Sequence, residues 1–141
     1  MSKFVKRKIE TINGKQHFFE LVVLPENINL KNNDLKEVKG VWKQYEEDLE
    51  EKYKSSFRSL TAIMNRKANL QSLSKDKFRD ITPTGEVIKE YEFKYQDLRA
   101  YGIKLPNEVL VILGGYKNKQ TDDCRQFRAL KAKYLESIKT T

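Results

Sequence analysis

The residues of this chain best suited to chemistry are cations and tyrosines gathered late in the sequence: Lys94, Arg99, Tyr101, Tyr116, Lys117, Lys119 and Arg125. Their shared preference is for phosphate and for nucleic-acid bases. An arginine on a rigid strand can hold a phosphate through two parallel hydrogen bonds, and Arg99 lies in a strand-like run over residues 98–105. The plainer alternative for Arg99 is a surface residue paired with Asp97 or Glu108. Tyr101 shares a strand face with Arg99 under strict alternation. There it can stack on a base or supply a proton, and core packing is the equal alternative. Lys117 and Lys119 follow Gly114-Gly115, where a backbone without Cβ can approach a phosphate closely; an ordinary basic turn explains them as well. Lys94 shares a face with Glu90 and Glu92 and can be neutralised there.

Other chemistries find little support. The chain has 1 histidine, which excludes a two-histidine acid–base pair. There is no HExxH, no HxxxH and no Cys/His cluster to hold zinc. Gly114-Gly115 is not part of a GxxxxGK[ST] loop, so nucleotide hydrolysis has no basis. His17 falls on an N-terminal strand and reads as packed or solvated. The run Glu46, Glu47, Asp48, Glu50 and Glu51 reads as a solvated helix face. Cys124 opens the last helix as a small packing residue. No cofactor is expected.

The chain of 141 residues suits one domain spanning 1–141. Its net charge of +8 favours an anionic partner. Residues 1–33 hold 6 bases and 3 acids, residues 34–86 hold 11 and 10, and residues 87–141 hold 11 and 7. A polyanion should therefore meet the terminal parts. The 1 cysteine permits no internal disulfide and fits a reducing cytosol. No apolar run approaches the ~18 residues of a membrane span, and MSKFVKRK lacks the apolar stretch of a signal peptide.

The elements that position these residues follow from periodicity. Residues 3–12 and 16–24 read as a β-hairpin about Asn13-Gly14, a type I′ turn signal. Residues 26–33 are an Asn-rich loop. Asp34 and Glu37 resemble a capping box. Leu35, Val38, Trp42, Tyr45, Leu49, Tyr53, Phe57, Leu60 and Met64 then recur at helical spacing, with a break expected at Ser55-Ser56 and an end near Leu73. Residues 74–86 form a polar connection. Three strands follow over 87–95, 98–105 and 109–113. A last helix is capped by Thr121, with Phe127, Leu130, Tyr134 and Ile138 as its buried stripe. This order predicts an α+β fold with a mainly antiparallel sheet.

Residues 91–136, YEFKYQDLRAYGIKLPNEVLVILGGYKNKQTDDCRQFRALKAKYLE, are similar to the C-terminal part of RelE/ParE-superfamily toxins, especially the HigB-like branch. Three features carry the resemblance. They are the Leu98-Arg99-x-Tyr101 strand, the apolar strand running into Gly-Gly-Tyr-Lys-x-Lys-Gln, and a basic terminal helix led by acids. The resemblance implies a RelE-like sheet, with a helix pair between N-terminal strand and meander and a terminal helix. That family usually opens with one strand, so the first strand of the hairpin looks like an addition.

The resemblance also implies function: the toxin of a toxin–antitoxin pair, a cytoplasmic mRNA interferase that blocks translation, acting on mRNA at the ribosome and silenced by a cognate antitoxin. The reaction would be attack of a ribose 2′-OH on the adjacent phosphate. It would need a base, an acid for the leaving 5′-oxygen, and positive charge around the transition state. Lys94, Arg99, Tyr101 and Lys117 are the catalytic candidates by this likeness, and Tyr116, Lys119 and Arg125 the RNA-binding ones. Three alternatives stand beside it: a ParE-like gyrase inhibitor that cuts nothing, a non-catalytic RNA- or DNA-binding module, and a plain protein-interaction domain.

Overall fold

The computed structural model describes residues 3–28 and 34–139. The strands are β1 (Lys3–Lys8), β2 (His17–Leu24), β3 (Phe78–Asp80), β4 (Glu90–Tyr95), β5 (Leu98–Leu105) and β6 (Glu108–Tyr116). The helices are α1 (Val41–Asp48), α2 (Lys54–Ala68) and α3 (Gln120–Lys139). The strands form one sheet in the order β1-β2-β6-β5-β4-β3. All neighbours are antiparallel except β2 and β6. The fold is thus α+β, as the element order predicts, with a sheet that is mixed through one pair.

Both faces of the sheet are covered, which explains why β6 is apolar on both sides. Val109 and Val111 pack with Phe18, Phe93, Leu98 and Ala100 against Trp42, Phe57, Leu60 and Met64 of α1 and α2. Leu110 and Ile112 pack with Leu21, Tyr101 and Ile103 against Phe127 and Tyr134 of α3. Each fully buried side chain of this size contributes about 1.5–3 kcal/mol. A bulge sets the register between the two cores. Tyr101 pairs with Leu113 and Gly102 with Val111, leaving Ile112 without an opposite. Beyond it, β6 parts from β2, and the start of α1 fills the gap. There the buried Glu20 carboxylate accepts hydrogen bonds from the Trp42 and Lys43 N–H groups, each at 3.0 Å.

Several sequence expectations need correction. Asn13-Gly14 makes no type I′ turn, since Gly85 is the only described glycine with positive φ. Instead the segment packs on the end of α2. The Asn13 N–H donates to Asn65 Oδ1 at 2.8 Å and the Gln16 N–H to the Ala68 carbonyl at 2.9 Å. Gly14 is required because a Cβ there would lie 2.7 Å from the Ala68 backbone. The helical stripe breaks at Leu49 and Glu50, with ψ of 137° and 152°, rather than at Ser55-Ser56. A continuous helix would stack Glu46 on Glu50 and Glu47 on Glu51, like-charge pairs that oppose it.

Asp34–Glu37 is one 3-10 turn, not the start of that helix, and α2 ends at Ala68. Of the Asn-rich loop, residues 29–33 lie outside the described residues. β4 begins at Glu90, and Val87 is 92% exposed. β6 continues through both glycines to Tyr116, and α3 follows a 3-10 turn, Lys117–Lys119, so Thr121 is inside the helix and not its cap. Ile138 is exposed, whereas Lys131 is buried. No helix among the described residues is long and apolar enough to cross a membrane.

Candidate nucleic-acid interface

The tight β4–β5 turn sets the geometry. Tyr95 pairs with Leu98, leaving Gln96 and Asp97 as the connection, and Gln96 takes φ 50°. Register then puts Lys94 directly opposite Arg99, and Arg99 opposite Gly115. The Lys117 N–H donates to the Asp97 carbonyl at 2.8 Å, which ties the basic Lys117–Lys119 turn to the same corner. Lys94, Arg99, Lys117 and Lys119 thus gather at one end of the β4–β5–β6 ladder, and none of the four has an ion pair among the described residues.

The four differ in access. Lys94 is half-buried, and Lys117 and Lys119 are exposed. Arg99 is only 6% exposed. Its Nη1 donates to the carbonyls of Gln96 at 2.6 Å and Leu98 at 2.8 Å, while its Nε is buried without a partner. Arg99 is therefore neither the open two-pronged clamp that the sequence suggests nor a surface residue paired with Asp97 or Glu108. It braces the turn and leaves its charge under the corner. Burial lowers the pKa of the Lys94 ammonium, and the Arg79 and Arg99 cations lower it further against the opposing pull of Glu92 and Asp76.

Tyr101 shares the Arg99 face as expected, but it is fully buried and stacked on Phe127, with ring centroids 5.7 Å apart. Burial raises its pKa strongly and the neighbouring Glu92 carboxylate raises it more. Its hydroxyl lies beside Glu92 and Cys124 but forms no hydrogen bond of good geometry. Tyr101 is thus a core residue, closed to a stacking base.

Tyr116 points to the other side of the sheet, against Tyr45 and Tyr53 at 6.0 Å each. Arg125 sits exposed on α3, 3.4 Å from Asp122. His17 pairs with Glu108 at the far end of β6 from Gly115, a separation of about 23 Å at ~3.3 Å per residue. Cys124 is half-buried, and burial raises its thiol pKa.

The two glycines serve packing and not phosphate approach. A Cβ on Gly114 would lie 2.3 Å from the Tyr45 ring, and one on Gly115 would lie 2.3 Å from Asp123 Oδ2. The Tyr45 hydroxyl donates to the Gly115 carbonyl at 2.7 Å, and Asp123 accepts from the Tyr116 N–H at 2.9 Å. An open groove of about 610 Å³ lies elsewhere, lined by Val23, Val38, Val41, Tyr45, Leu113 and Gly114. It takes in none of the candidate cations.

The reading of residues 74–86 as a polar connection missed β3, whose Arg79 pairs with Glu92. Three residues flanked by polar chain give no periodic signal. No family model matches the chain, and no curated protein or solved structure matches it.

Proposed function

We propose that this protein is a RelE/ParE-type toxin that acts on mRNA as an endoribonuclease at the ribosome, under the control of an antitoxin. The observation that carries the reading is the pair Lys94 and Arg99, opposite one another in register beside the Lys117–Lys119 turn, with Glu92 and Asp123 nearby but in no ion pair with either among the described residues. Like charges opposed across a ladder cost stability. A phosphate is the ligand that turns this cost into binding. Burial and the neighbouring Arg79 and Arg99 cations lower the Lys94 pKa against the pull of Glu92, which makes this ammonium a readier proton donor than a free lysine.

In this reading Lys94 donates a proton to the leaving 5′-oxygen as the ribose 2′-oxygen attacks phosphorus and the 2′-OH proton passes to solvent, leaving a 2′,3′-cyclic phosphate and a 5′-hydroxyl. Lys117 and the buried charge of Arg99 stabilise the extra negative charge of the transition state. Lys119 holds flanking phosphate. Tyr101, enclosed beneath α3, takes no part.

The burial of Arg99 favours one other reading, a ParE-like toxin or binding module that cuts nothing. Expression in cells, with mRNA 5′ ends mapped alongside markers of DNA damage, separates them. New mRNA ends that disappear with Lys94→Gln support the nuclease. DNA damage without new ends supports the alternative.

A further inference from the structure

The short strand β3 brings two more cations to the same corner. The Lys94 N–H donates to the Lys77 carbonyl at 2.8 Å, and Phe78 and Arg79 pair with Phe93 and Glu92. The Phe78 ring packs against Tyr91 and Phe93 at 4.8 and 5.2 Å on the α2 side, under the Lys67 ammonium. Alternation within β3 then sends Arg79 to the opposite face, that of Lys94 and Arg99, and Lys77, in the turn before β3, reaches the same corner through its carbonyl's bond to Lys94.

α3 covers β5 and β6 on this face. It meets β4 through Gln120 on Glu92 and through Arg128 and Lys131 on Glu90. Arg79 is exposed and Lys77 half-buried, and neither has an ion pair among the described residues. The neighbouring acids are held by neutral donors, Glu92 Oε2 by Gln120 at 2.9 Å and Asp76 by the Ser74 hydroxyl, while Glu92 Oε1 stays buried without a partner and both carboxylates still attract Lys94.

We propose that Lys77 and Arg79 extend the cationic row to the outer edge of the sheet and hold the backbone of single-stranded RNA as it crosses Lys94. This deepens the RNA-directed reading above and rests on it. From β3 to β5 the row spans two strand spacings of about 4.8 Å, roughly 10 Å, and ends at β6 where Asp123 lies against Gly115, beside the Lys117–Lys119 turn. It is one line of side chains ending at a sheet edge, which suits one backbone and not the two of a duplex. Arg79 supplies a planar fork for phosphate oxygens and Lys77 a point charge.

The test compares wild type with Lys77→Ala/Arg79→Ala and with Lys3→Ala/Lys8→Ala, which removes the same charge from the opposite sheet edge. The probe is a short fluorescent 2′-O-methyl oligoribonucleotide of mixed sequence, which cannot be cut by 2′-oxygen attack. Binding is read by anisotropy across a salt series. The β3 variant should bind on the order of tenfold more weakly, with a log–log salt slope shallower by about 1.4, and the β1 variant should stay near wild type. Wild-type binding by the β3 variant, equal weakening of both variants, or tighter binding of duplex DNA than of the single strand would each overturn the β3 assignment. Absence of binding by wild type itself would remove the RNA reading as well.

Discussion

Lys94 and Arg99 face each other across the β4–β5 ladder with no carboxylate paired to either among the described residues. Elsewhere on the same face, charge is matched with care: Glu90, buried beside α3, receives Arg128 at 3.0 Å and Lys131 at 2.7 Å. At the other end Glu92 and Asp123 lie near the two cations without forming an ion pair with them, so the cations keep contacts open to an outside anion. Lys94→Gln should therefore raise stability by about 0.2–1 kcal/mol while lowering mRNA cleavage at least on the order of tenfold. Urea unfolding and a cleavage assay on the same preparation check the two halves.

Lys94 also sets a pH dependence. Burial, then the Arg79 and Arg99 cations, hold its pKa below the ordinary 10.5. Between that lowered value and 10.5 the unfolded chain keeps a proton that the folded chain has released, so this group's contribution to stability rises with pH. The penalty is fully present below the folded pKa. The stability gap between Lys94→Gln and wild type should narrow as pH climbs toward 10.5. A gap constant from neutral pH to that point contradicts the assignment.

Tyr101→Phe separates packing from chemistry. The hydroxyl is buried beside Glu92 and Cys124 without a well-formed hydrogen bond, so its removal should change stability by no more than about 1 kcal/mol, with cleavage intact. A large loss of cleavage in a folded variant would return Tyr101 to the reaction.

The glycines make a steric prediction. Gly114→Ala and Gly115→Ala each force a Cβ to within 2.3 Å of an existing atom, the Tyr45 ring in one case and the Asp123 carboxylate in the other. Each should cost about 1–3 kcal/mol, seen as a lower urea midpoint. The Gly115 variant should also loosen the Tyr116–Asp123 hydrogen bond and with it the Lys117–Lys119 turn.

The Glu90–Lys131 pair fixes α3 over the sheet. Lys131→Met leaves a buried carboxylate with Arg128 alone and should cost about 3 kcal/mol. Adding Glu90→Leu should recover most of that loss, because the site then carries no buried charge. A double variant no more stable than the single one would show that the pair contributes more than mutual neutralisation.

Much of this architecture is legible in the residues. Alternation through Glu90, Glu92 and Lys94 marks the two faces of β4, and Pro106-Asn107 marks the β5–β6 turn, where Asn107 takes φ 58°. The shared face of Arg99 and Tyr101 follows from the same alternation. Their burial does not, because it depends on α3 folding back over β5 and β6. The bulge at Ile112 puts Gly115 opposite Arg99, where unbroken register would put Gly114, and so turns Tyr116 to the other face. The β1–β2 hairpin forms as the sequence suggests, but the end of α2 holds the Asn13-Gly14 segment and overrides its type I′ turn. Lys131 looks like any exposed cation until Glu90 lies opposite it.

The most direct measurement is cleavage of a defined mRNA on translating ribosomes in a purified system, comparing wild type with Lys94→Gln and Arg99→Ala. Wild type should make cuts ending in 2′,3′-cyclic phosphate, and each variant should cut at least tenfold more slowly, on the order of 1.4 kcal/mol in the barrier, with urea unfolding on the same samples reporting any loss of the turn that Arg99 braces. Equal cutting by all three, or none by wild type while translation continues, would contradict the nuclease reading.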